Sequence, residues 1–225
     1  MPDEPADDAR RPRRSSAGRV GAGRSAWHVA ELAHELLSYV DEPVGRGLSG
    51  AERARVERRF GFRFAPAHRA FLAIGMPRGP LWPNWRSGST SDLRTLVRAP
   101  VDGVVADVLE HDFWPSAWGA RPASDAGREA VARAQLINVP TLVPFFGRRY
   151  VPAAEQASGS SVLAVHRTEV VVLGNDLASY VDRELSVGYL LHHAPPATVP
   201  ATVPFWSDLA RFVDATLRGQ GIMSP

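Results

Sequence analysis

Apolar positions recur along this chain at two spacings, and the spacing changes near its middle. From Ser25 to Val40, Val29, Leu32, Ala33, Leu36, Leu37 and Val40 follow a helical period, with Ser25 placed to cap and Pro43 beyond the end. A second helix is predicted over 50–60: Val56 and Phe60 lie four apart, while Glu52, Arg53, Arg55, Glu57, Arg58 and Arg59 cover the other faces. Ser49 and Glu52 have the spacing of a capping box, and Gly61 can take the left-handed conformation that ends a helix. Pro66 suits the first turn of a third helix, 66–74, whose apolar side is Phe71, Leu72 and Ile74 before Gly75 and Pro77 stop it.

Beyond that point the pattern shifts toward strands. Ser91 to Val97 reads as a short helix ended by Pro100, and Gly103 followed by Val104, Val105, Ala106, Asp107 and Val108 reads as a strand over 101–109. Ser124 caps a predicted helix from Asp125 to Leu136. Residues 139–152 form an apolar stretch interrupted by Pro140 and Pro144; because proline removes a ladder donor, this is an edge or bulged strand turning at Gly147. Val162–His166 and Val170–Leu173 flank a turn at Arg167, Thr168 and Glu169 and should pair as a hairpin. Asp176 then caps a further helix, a better reading than a phosphate site, since its carboxylate would repel an anion. The repeat at 197–204 is a stiff, extended linker before a last helix, 206–217, carrying Leu209, Phe212, Val213 and Leu217.

These elements predict an α+β fold: a central, largely antiparallel sheet from 101–109, 139–152 and 162–173, covered by helices 50–60 and 66–74 and the helix after Asp176. Helices 26–40 and 206–217 are terminal additions. Residues 1–25 form a disordered tail, 26–185 the domain and 186–225 a C-terminal extension.

Composition narrows the function classes. The 225 residues are 44% hydrophobic and 22% charged, enough for one well-buried domain plus extensions. No apolar run approaches the roughly 20 residues that span a bilayer, and the acidic start MPDEPADD is no secretory signal, so a cytoplasmic protein is expected. The absence of cysteine removes disulfides, thiolate chemistry and sulfur-built zinc sites. Residues 1–26 carry six arginines and four acids, and the remaining chain twenty of each; lysine is absent, which points to a GC-rich coding genome. The folded part is therefore not a general polyanion binder, and nucleic acid contact would fall to the arm Arg10–Arg14.

Three stretches carry candidate chemistry. Trp82, Trp85 and Arg86 lie in a proline-flanked loop; the indoles either close over the core or serve a protein interface, where Trp and Arg concentrate. Arg148, Arg149 and Tyr150 follow the proline-broken strand and either meet a partner strand or acidic surface, or anchor internal carboxylates. Asp107, Glu110, His111 and Asp112 are the most metal-like cluster, which would suit a metal-dependent hydrolase using Asp107, His111 and Asp112. However, no HExxH or EF-hand spacing supports it, and solvent-facing turn residues are the plainer reading. His28 with His34, His166, and His192 with His193 lack the spacing or neighbours of a metal or nucleophilic site. No cofactor is predicted.

The order of pieces carries a resemblance. A capped charged helix, Phe60-Gly61-Phe62-Arg63-Phe64, then Pro66-Ala67-His68-Arg69-Ala70-Phe71-Leu72, resembles the opening of the SUKH superfamily. The run from Leu142 to Pro152 is similar to one of its subgroups, and Val162–Leu173 with Gly174–Tyr180 resembles its closing hairpin and helix. That family holds fungal cell-wall-synthesis regulators and bacterial toxin-immunity proteins. The resemblance implies a non-enzymatic module that binds another protein, such as a toxin domain, stoichiometrically, as immunity protein or regulatory adaptor.

Overall fold

A computed structural model of the chain describes residues 25–40, 42–154, 161–185 and 202–210. The N-terminal tail with Arg10–Arg14, the connector 155–160, His192 and His193, most of the proline-rich repeat and residues 211–217 of the predicted last helix lie outside the described residues. Within them the protein is α+β. The helices are α1 (Ala26–Leu37), α2 (Gly50–Phe60), α3 (Pro66–Ile74), α4 (Thr90–Glu110), α5 (Asp125–Leu136) and α6 (Leu177–Glu184). A single 3-10 turn, Ser116–Trp118, separates α4 from α5.

Helix ends form where the chain supplies a cap. Ser25 accepts from the His28 amide, and Ser124 from the Gly127 amide. Ser49 and Glu52 make the reciprocal box, with the Ser49 amide donating to Glu52 Oε2 at 2.7 Å and the Glu52 amide to Ser49 Oγ at 3.2 Å. Gly61 closes α2 in the left-handed region, φ 74°. Asp176 and Ser179 form a second reciprocal cap at the start of α6.

Two antiparallel sheets are present among the described residues. Strands β1 (Val44–Arg46) and β2 (Gly75–Pro77) make a short ribbon that the sequence pattern did not suggest. The main sheet runs β3 (Leu142–Phe146), β4 (Arg149–Pro152), β5 (Val162–His166) and β6 (Glu169–Gly174), in that order across the sheet. As expected from the prolines of this stretch, of which Pro144 lies within the strand, β3 is an edge strand, and its register shifts between Pro144 and Phe146.

Helices cover both faces of the sheet over β3, β4 and most of β5, while Val171 of the edge strand β6 stays exposed. Val143, Phe145, Val151 and Val162 join the core formed with α1, α2, α3 and α6. Their neighbours in sequence, Leu142, Tyr150 and Leu163, join a second core with α4, α5 and residues 202–210. The two-residue alternation of a strand thus feeds two helical layers. The terminal segments are part of this packing: α1 lies against α3 and α6, while Val203 and Trp206 are fully buried in the second core.

The predicted strand 101–109 is a correction. Those residues belong to α4, a 21-residue helix that continues through Pro100 instead of ending before it. Val101, Val104, Val105 and Val108 recur at three- and four-residue spacing, which puts them on one helical face. The last three are buried in the second core, and Val101 packs against it. Burial of that stripe outweighs the β preference of valine and the hydrogen bond that proline cannot donate to the residue 96 carbonyl. The central sheet therefore consists of the two later hairpin segments alone.

Candidate partner-binding groove

The aromatic loop folds inward. Trp82 is 7% exposed and Trp85 4%. The Trp82 ring lies 4.8 Å from that of Phe146 and 5.3 Å from that of Phe145, and its Nε1 donates to Glu42 Oε2 at 3.1 Å. Trp85 makes edge contacts with Phe60, Phe62 and Phe64 at 5.6–5.9 Å between ring centres. The indoles thus take the first of the two roles open to them, closing over the core.

Arg86 is also engaged internally. Its Nε donates to Glu52 Oε1 at 2.9 Å, and its Nη2 reaches the carbonyls of Arg46 and Gly47 at 3.0 and 2.9 Å. Arg86, followed by the Ser49 amide, holds the Glu52 carboxyl down at about 2. A group depressed in the folded state contributes stability above its ordinary pKa and loses it as pH falls through the folded value. The stability difference between wild type and Glu52→Gln is therefore expected to be largest above about pH 4.5 and to vanish as pH approaches 2. Urea midpoints across that range check this; a difference that stays constant with pH would sink it.

The loop and the β3–β4 hairpin meet, since the Gly147 amide donates to the Leu81 carbonyl at 2.7 Å. Arg148 is exposed and pairs with His166. Arg149 lies 3.8 Å from Glu184 of α6, and Tyr150 is 2% exposed, its phenol pushed up by burial. What the joined edge offers to solvent is Leu81, 53% exposed, together with Arg148.

The acid–histidine cluster is spent on holding a turn. Asp107 is 6% exposed; its Oδ2 accepts from the Thr168 amide and hydroxyl at 3.0 and 2.6 Å, and its Oδ1 from Arg167 at 3.0 Å. His111 Nδ1 lies 3.1 Å from the same Oδ1. Glu110 pairs with Arg167 and Asp112 with Arg121, each at 2.6 Å. The turn sits directly on α4 because Gly103 has no side chain: a Cβ there would come within 3.0 Å of the Arg167 Cα. Among the described residues, no group of three or more His, Asp or Glu side chains is arranged to hold a metal ion.

Elsewhere on the described surface, a groove of about 1000 Å³ runs between the last turn of α2, the middle of α4, the last turn of α5 and residues 139–142. Arg58, Arg59, Arg94, Arg98 and Arg133 line it against one acid, Asp102. Local rules place them: arginine is favourable in the last turns of α2 and α5, where carbonyls are unpaired, and Arg94 and Arg98 stand four apart on α4. Arg133 is held by Asp102 at 3.0 Å and Glu129 at 2.8 Å, and Arg59 donates to Thr90 Oγ1 at 2.9 Å. Arg58, Arg94 and Arg98 are exposed and have no ion-pair partner among the described residues. Phe60, Val97 and Val101 give the groove apolar lining, Trp206 closes it from the C-terminal segment, and Ile137 stands on its edge 77% exposed.

Sequence reasoning missed this groove. The Arg94–Arg98 spacing was visible, but ending the helix near Pro100 separated those arginines from the valines that seat them. Their proximity to Arg58 and Arg59 follows only from packing. The chain matches no protein-family model, no curated protein and no solved structure.

Proposed function

We propose that the chain is a non-enzymatic protein-binding module of SUKH type, acting by stoichiometric capture as a toxin-immunity protein or regulatory adaptor. The observation that carries this reading is the arginine-lined groove, an open surface with charged walls and apolar lining of the kind that recognises protein. The α+β architecture, with an antiparallel sheet between helices, is compatible with the resemblance in sequence. A hydrolase built on Asp107, His111 and Asp112 is the weaker reading, because Asp107 already accepts from Thr168 and Arg167.

The test is affinity capture with full-length protein at physiological salt, followed by native mass spectrometry of the complex. Three proteins are compared: wild type, an Arg94→Glu/Arg98→Glu variant and a Leu81→Ser/Arg148→Glu variant. Capture of a single partner at equal stoichiometry by wild type is expected, with the weakened variant marking which surface is used. Toxicity of that partner when expressed alone then separates immunity protein from adaptor. Failure to form a stoichiometric complex, or turnover of the bound protein, would count against the module reading.

A further inference from the structure

The groove also says what kind of segment it receives. We infer that it binds an acidic stretch of a partner protein in which carboxylates alternate with apolar side chains; this rests on the module reading and deepens it. The carboxylates meet Arg58, Arg94 and Arg98, and the apolar side chains cover Ile137 and the valine-lined wall of α4.

Three observations converge. Charge comes first: beyond residue 26 the chain carries twenty arginines and twenty acids, yet five arginines and a single acid line this groove. Like charges lining one groove repel one another, and the field they focus attracts an anionic ligand. Availability comes second. Arg133 and Arg59 have partners, whereas the guanidinium forks of Arg58, Arg94 and Arg98 lack ion-pair partners among the described residues and fit carboxylates two bonds at a time. The third is the apolar component. Ile137 is the most exposed of the large hydrophobic residues in the described structure and stands beside the arginines.

The same features favour protein over nucleic acid. A single-strand track combines basic walls with exposed aromatic faces on which bases stack. Here Phe60 is half-buried, while Trp206 is fully buried and its Nε1 donates to the Pro140 carbonyl at 2.8 Å. What the groove exposes instead is aliphatic.

The probe is a labelled synthetic peptide of alternating glutamate and leucine, followed by fluorescence anisotropy against the full chain. A glutamine-for-glutamate peptide and a single-stranded oligonucleotide of equal charge serve as competitors. The Arg10–Arg14 arm also attracts acids, so the comparison is between full chains that differ only in the groove. Arg94→Glu/Arg98→Glu is expected to weaken the acidic peptide by at least about tenfold, and the glutamine peptide to compete poorly with wild type. Ile137→Ser, which leaves every charge in place, is expected to weaken it by roughly threefold, consistent with losing part of a buried aliphatic contact. Thermal melts confirm that these surface variants remain folded. Undiminished binding by the Arg94→Glu/Arg98→Glu variant would overturn the inference, as would an oligonucleotide that competes more strongly than the acidic peptide. A native partner captured equally by wild type and that variant would leave the module reading standing and sink this one alone.

Discussion

Trp85→Ala is expected to lower the unfolding free energy by about 3–5 kcal/mol, the range for deleting a large buried ring. The indole is 4% exposed and faces three phenylalanines, Phe60 at the end of α2 and Phe62 and Phe64 in the segment that follows. Removing it leaves a space bounded by rigid rings, which cannot collapse into the gap as flexible side chains would. For a chain of this size the melting temperature should fall by about 6–20 °C. Chemical denaturation of wild type, Trp85→Phe and Trp85→Ala measures this, with the phenylalanine variant retaining most of the stability. A loss below about 1 kcal/mol for the alanine variant would place the indole outside the cooperative core. The result also bears on function, because weakened binding by a Trp85 variant would report unfolding. Leu81 and Arg148 are the residues that can be changed at that edge while the core stays intact.

Asp107→Ala is expected to cost roughly 1–3 kcal/mol, because it strands the half-buried Thr168 amide and hydroxyl and leaves Arg167 without its buried carboxylate. Burial alone would raise the Asp107 carboxyl. The Thr168 hydroxyl and amide, then Arg167 and His111, outweigh burial and hold it below the ordinary carboxylate range. A lowered folded pKa means a contribution that is complete above that range and lost as pH falls below it. The gap in stability between wild type and Asp107→Asn should therefore be widest near neutrality and narrow in acid. Hydrogen exchange adds a local readout, with the β5–β6 turn opening first in the variant. A variant as stable as wild type, with that turn still protected, would remove Asp107 from its structural role.

Much of the architecture was legible because its causes are local. Ser25, Ser49, Ser124 and Asp176 each cap a helix with their own side chain, and Gly61 ends α2 by its own backbone preference. Pro140 and Pro144 signalled an edge strand with irregular register, and the hairpin turning at Arg167 forms as its flanking valines implied. The misreading at 101–109 has an equally physical origin. Clustered valines and a preceding proline satisfy a strand's local preferences, and only the shared burial of Val104, Val105 and Val108 shows that the period is helical. The two-stranded ribbon of Val44–Arg46 and Gly75–Pro77 gave no signal, since three-residue strands lack the length for a visible alternation.

The candidate residues divided in the same way. Trp82, Trp85, Arg86, Arg148, Arg149 and Tyr150 stand out in the sequence by side-chain chemistry, and chemistry does not decide which way a side chain points. Folding buries Trp82, Trp85 and Tyr150, ties Arg86 to Glu52 and sets Arg149 near Glu184. Only Arg148 among them is exposed.

By itself, then, the sequence determined the α+β class, the positions of the helices capped by Ser25, Ser49, Ser124 and Asp176, and the two hairpin segments, because capping, turn and periodicity energies act within a few residues. Only the tertiary structure decided that the sheet sits between two helical layers, that Asp107 clasps a turn sixty residues away, and that arginines from three helices line one groove. Those features arise from contacts between segments far apart in the chain. Their geometry is set by how apolar stripes pack, and no local pattern encodes it.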